Sequence, residues 1–211
     1  METPIITATD KEVKVGLRLQ KLAKEKDFDS LGKVLNKIKL PDGFKFSVHA
    51  IKEEEKYGMG AESYPMIVAP DGEEILDRDK EFWKLLQVDD SPEGAWQVYL
   101  LFNLWHYLPM FWHAFYEERH YVYSTDQLKK VLRYQPHLGD EVVPAFDVDQ
   151  FEIHPIIRQE GNIWHVGAHF WSDFGGLIYE ELKIKLGKSV HIYSRPACCK
   201  TLHHYDCGIC F

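Results

Sequence analysis

The sequence predicts an α+β protein: a helical N-terminal and central part packed on a C-terminal antiparallel β meander. Two observations carry that prediction. Apolar residues recur at helical spacing up to about Leu132 and at alternate positions beyond Pro144. The two regimes are segregated along the chain rather than interleaved, as expected when helices cover one side of an antiparallel sheet. At 211 residues the chain can bury a core without disulfide or metal staples. The expected organisation is a mainly helical part with a small β hairpin over 1–140 and an antiparallel part over 141–211, meeting near Pro136 to Pro144 as one domain or two.

Thr9-Asp-Lys-Glu12 is a capping-box pattern that precedes Val15, Leu19, Leu22 and Ala23, so a first helix is predicted to about Lys26. Ser30 is expected to cap a second short helix carrying Leu31, Val34, Leu35 and Ile38, which Pro41-Asp-Gly43 ends. Phe44, Phe46 and Val48 then alternate with Lys45 and Ser47, and Met66-Ile-Val-Ala69 follows, giving two strands. A short helix is expected around Phe82 to Leu86. Ser91-Pro92-Glu93 is a strong helix start, with a Ser cap, Pro at the first position and an acid at the positive end of the dipole. The central helix is expected through 94–120, kinked at Pro109. Ser124-Thr-Asp-Gln127 opens a further helix with Leu128, Val131 and Leu132. Strands follow at Ile163 to Ser172, Leu177 to Leu186 and Ser189 to Tyr193. Leu182, Ile184 and Leu186 face the core, and the charges between them face water.

Gly94 to Tyr116 runs 23 positions without a charged side chain and carries nine aromatics. That length can span a bilayer. Gln97, Asn103, His106 and His113 interrupt it, the aromatics are spread evenly, and the flanks at Glu93 and Glu117-Glu118 are acidic, so the run is expected to be the buried axis of a soluble domain. His106, His113 and His120 repeat every seven residues, about 10 Å apart along a helix and too far to share one metal. Glu117-Glu-Arg-His120 matches the Glu-x-x-His half-motif of di-iron bundles, but the chain contains no second copy.

All four cysteines fall near the C-terminus. Cys207-x-x-Cys210 with Cys198 or Cys199 and His203 or His204 has the ligand set of a structural zinc site. The same stretch also reads as a final strand with buried thiols, in which Cys207 and Cys210 point to opposite faces. Disulfides are disfavoured, because the first ten residues show neither a basic nor an apolar leader region and a cytoplasmic location is expected.

No phosphate loop, dinucleotide glycine fingerprint, nucleophile elbow or His-Glu-x-x-His zinc helix occurs in the sequence. Asp147, Asp149 and His154 are a weak acid/base group. A net charge of −8 argues against nucleic acid as a partner. The exception is local: Lys11 to Lys39 holds nine basic and four acidic residues, with Lys11, Lys14, Arg18 and Lys21 along one helix side, a solvated face or a contact for phosphate or an acidic partner. The leading expectation is a non-catalytic, cytoplasmic protein-binding module of the interaction or inhibitor/immunity-like kind. Its contact face is His165, His169 and Trp171, which share one side of a strand, and its partner is another protein, expected basic from the net charge. Membrane binding is not expected, and structural zinc is the only cofactor the sequence offers. The alternative is a metal-dependent hydrolase using His, Asp and Glu residues where the central helix meets the sheet.

Overall fold

The computed structural model describes residues 5–7, 10–25, 27, 30–50, 63–107, 119–133, 147–172, 175–194 and 200–204. Helices α1 (Asp10–Glu25), α2 (Leu31–Val34), α3 (Lys80–Leu85), α4 (Pro92–Phe102) and α5 (Thr125–Arg133) all precede the long strands, so the α+β arrangement holds. The strands are β1 (Ile5–Thr7), β2 (Ile38–Lys39), β3 (Lys45–Ala50), β4 (Ser63–Val68), β5 (Glu74–Leu76), β6 (Gln87–Val88), β7 (His120–Val122), β8 (Ile156–Glu160), β9 (Ile163–Ser172), β10 (Gly176–Lys185), β11 (His191–Ser194) and β12 (Lys200–His203).

The antiparallel hairpin β9–β10 is the spine of a seven-stranded sheet. Its outer edges are each shared by two short strands placed end to end: β8 and β7 along β9, β11 and β12 along β10. β1 completes the sheet beside β8. A two-residue turn joins β8 to β9, and its first residue, Gly161, has φ of 61°, a left-handed conformation that glycine adopts without a Cβ penalty. β3, β4 and β5 form a separate three-stranded sheet, and β2 pairs with β6.

One face of the spine packs Trp164, Val166, Ala168, Phe170, Leu182 and Ile184 against Leu19, Leu22 and Ala23 of α1 and Ala95, Trp96 and Tyr99 of α4. Alternation puts Leu182, Ile184 and Leu186 in the core as expected. α4 starts as its sequence requires: Ser91 Oγ accepts from Gly94 N at 3.1 Å, and Pro92 needs no donor partner in the first turn. Its indole at Trp96 stacks on Tyr99 at 5.2 Å and donates to Glu12 O, fastening α1. The opposite face carries a smaller core of Val122, Leu128, Leu132, Ile153, Trp171 and Leu177 under α5. The Ser124 cap of α5 is also present, with Ser124 Oγ accepting from Gln127 N and Gln127 Oε1 accepting from Tyr123 N.

Three elements differ from expectation. The central helix ends at Phe102 rather than near 120. Asn103 terminates it, donating from Nδ2 back to Tyr99 O at 3.2 Å, and a 3-10 turn follows over Leu104–Tyr107. His120 belongs to β7, where it pairs with Trp171. The seven-residue His106, His113, His120 stripe and the Glu117-to-His120 turn therefore do not ride on one helix, while His113, Glu117 and Pro109 lie outside the described residues. The second helix is a single turn that stops short of Ile38, which is taken by β2 opposite Val88, and Ser30, itself in a helical conformation, makes no side-chain cap bond. No helix among the described residues is long and apolar enough to cross a membrane.

Candidate functional site

The contact face expected from β9 is not a surface. His165 and His169 are each 5% exposed, and Trp171 is fully buried beneath α5. Alternation places the three on one side of β9, as expected; that side faces away from α4, and α5 and the cross-strand neighbours on β8 and β10 cover it. His165 Nδ1 meets Glu181 Oε1 at 2.9 Å and its Nε2 meets Glu160 Oε2 at 3.3 Å, while Arg158 Nη2 donates to both Glu181 oxygens at 3.1 and 2.9 Å. Burial alone would raise the Glu181 carboxyl, but the His165 hydrogen bond and the Arg158 charge outweigh it and hold the group below the usual carboxylate range. His169 lies 5.2 Å from the Tyr179 ring with Nδ1 unpartnered among the described residues. Burial, aided by the charge of His154, pushes His169 down to about 4, so it is neutral at physiological pH.

The weaker acid/base candidates are engaged locally. Asp147 caps a 3-10 turn over Val148–Gln150 by accepting from Asp149 N, and Asp149 pairs with Lys129 at 2.6 Å. His154 Nδ1 is 3.6 Å from Glu152 Oε1. Of the expected zinc ligands, His203 sits in β12 opposite Leu177, and Cys198, Cys199, Cys207 and Cys210 lie outside the described residues. Among the described residues, no three His, Cys, Asp or Glu side chains are placed to hold a metal ion.

Sequence reading missed a buried polar cluster on the inner face. Glu180 is fully buried; Tyr121 OH donates to its Oε1 at 2.6 Å, Tyr99 OH to the same oxygen at 3.1 Å, and Arg119 to its Oε2 at 2.8 Å. Burial and then the Glu180 charge push the Tyr121 phenol well above its ordinary value, so it stays a proton donor. His106, 5.5 Å from the Tyr121 ring, is pushed down to about 3 by burial and by the Arg119 charge. The cluster ties β7 and α4 to β10. Its sequence signal was present: Glu180 is in phase with Leu182 and Ile184, so the alternation that places those in the core places Glu180 there too.

A second constellation lies at the surface. α1 and α2 enclose an open groove of about 640 Å³ lined by Asp10, Lys11, Lys14, Val15, Arg18, Lys33, Val34 and Asn36. Buried Leu19, Leu31 and Leu35 hold the two helices together in the main core, leaving Lys11, Lys14 and Arg18 exposed on α1 and Lys33 exposed on α2. Among the described residues none of these four cations has a carboxylate partner, as is also true of Lys39, Lys45, Lys80, Lys130 and Lys188, while Lys37, Lys84 and Lys129 are ion-paired; what sets the four apart is that they line one groove. The sequence supplied the α1 stripe but not Lys33, which only packing brings to it.

Comparison of the chain with protein-family models, with curated proteins and with solved structures finds no match.

Proposed function

We propose that the protein is a cytoplasmic protein-binding module that docks its partner along the α1–α2 groove. The observation that supports this reading is the groove itself: a concavity of about 640 Å³ lined by Val15 and Val34 together with four cations that have no carboxylate partner among the described residues. Protein contact sites combine apolar area with polar, solvated groups, and the lining of this groove offers both. The face first expected to serve, around His165, His169 and Trp171, is occupied by the protein's own packing, which moves the candidate surface to the helices.

Site-specific photocrosslinking tests the proposal. A benzophenone side chain in place of Lys14 or Lys33 is expected to yield the same discrete adduct in cells, lost when Arg18→Glu is added. The same probe at Tyr193, an exposed position on β11, is expected to yield none. Equal adducts from Tyr193, or none from the groove, would overturn the assignment.

A further inference from the structure

Building on the docking role of the α1–α2 groove, we infer that its occupant is a short acidic peptide segment of the partner, extended, with carboxylates at alternate positions and an apolar side chain among them. Helix stability does not account for the cations of α1. Lys11 and Lys14 are three residues apart and Lys14 and Arg18 four apart, so like charges sit at the spacings where side chains are neighbours and repel. Lys11 also stands in the first turn, where the helix dipole disfavours a cation. Asp10, four residues before Lys14, is the single acid set at such a spacing to Lys11, Lys14 or Arg18. It is also the one carboxylate lining the groove, and it pairs with none of the four cations.

The geometry indicates a peptide rather than an isolated anion. Lys11 to Arg18 covers about 10 Å of helix axis, longer than one phosphate, and successive cations are about 4.5 to 6 Å apart along it. Alternate side chains of an extended segment lie about 7 Å apart on one side, within reach of flexible Lys and Arg side chains, with Lys33 closing from α2. Val15 and Val34 give the groove apolar lining that the phosphodiester backbone of a nucleic acid would leave unused. Long polyanions are disfavoured for a second reason: the chain as a whole carries −8, and any anion extending well beyond the groove meets that charge. Within the groove, screening over about 8 Å at physiological salt leaves the local cations in control, so the partner segment is acidic although the whole protein is too.

Fluorescence anisotropy with the full chain provides the test. The probe is a labelled 12-residue peptide with Glu at alternate positions and one central Leu; its Gln-for-Glu and Lys-for-Glu counterparts are controls and inorganic polyphosphate is the competitor. The Glu peptide is expected to bind, with binding weakened about tenfold between low salt and 0.5 M NaCl, as screened surface pairs require. The Lys14→Glu/Arg18→Glu double variant on α1 and, separately, Lys33→Glu on α2 are each expected to weaken it about tenfold at low salt; all replaced side chains are exposed, and circular dichroism confirms folding. Equal binding of the Gln or Lys peptide, insensitivity to both charge reversals, or binding of polyphosphate without binding of the Glu peptide would overturn the inference. In any of these cases the groove-specific crosslinks at Lys14 and Lys33 would persist if the docking role is right and vanish if it is not.

Discussion

Removing the hydroxyl of Tyr121 breaks the side-chain tie between β7 and β10, on either side of β9, together with the hydroxyl's contacts to Asn103 Oδ1 and the Arg119 guanidinium. Tyr121 is 2% exposed, and Glu180, which accepts its hydrogen bond at 2.6 Å, is fully buried. A hydrogen bond to a charged group contributes about 1.5–3 kcal/mol, and in Tyr121→Phe the carboxylate keeps only Tyr99 and Arg119 as donors. The loss expected is about 2 kcal/mol, or roughly 4–8 °C in melting temperature for a chain of this length. Glu180→Gln should cost more, about 3 kcal/mol, because it leaves Arg119 facing a neutral amide; solvent reaches that guanidinium, at 30% exposure, which keeps the loss at the low end for a broken buried pair. The double variant should lose less than the sum of the singles, with a coupling of about 1.5 kcal/mol, measured by urea denaturation of all four proteins. Additivity within about 0.5 kcal/mol would refute the reasoning, since contacting partners in one network do not behave independently.

Acid should destabilise the protein through His169. Its folded value is depressed to about 4 from 6.5, so its contribution is fully present above pH 6.5 and is lost as pH falls through 4, amounting to about 2 kcal/mol at pH 5. His106 acts in the same direction; in urea denaturation His169→Gln should flatten the slope between pH 6.5 and 4, and an unchanged slope would contradict its buried neutral state. Leu104→Asp should abolish folding by placing an unpaired charge where the side chain is 0% exposed, a loss of at least about 4 kcal/mol visible as absent cooperative unfolding. Gly167→Ala should cost about 1–3 kcal/mol, because a Cβ there would sit 2.2 Å from the Tyr179 hydroxyl and 2.6 Å from Glu180 O; a melting temperature within 1 °C of the parent, about the effect of a neutral change, would show that the strands separate freely there.

Local chemistry made much of the fold legible. Ser91-Pro92 and Ser124 announced α4 and α5 because a side-chain acceptor at a helix start has a specific backbone donor to satisfy, and both bonds form. Ile163 to Ser172 was readable as β9 from its bounding turns. The end of α4 was hidden because an uncharged aromatic run carries no period, and Asn103, the residue that stops it, is also compatible with a helix interior. The error over His165, His169 and Trp171 has a different origin. Alternation reports which residues share a side of a strand, not whether anything covers that side, and the cover comes from α5, His154 and the Arg158–Glu181 pair. The groove was half visible: three cations at helical spacing lie in the sequence, but Lys33 and Val34 join them only once α2 packs on α1.

Amide chemical-shift mapping tests most directly whether the binding surface is the α1–α2 groove. Titrating the isotope-labelled protein with the Glu/Leu dodecapeptide should perturb residues 10–18 and 31–36 and leave β9 unmoved. Perturbations centred on His165 to Trp171, or no perturbation of α1 and α2 at saturating peptide, would contradict the account.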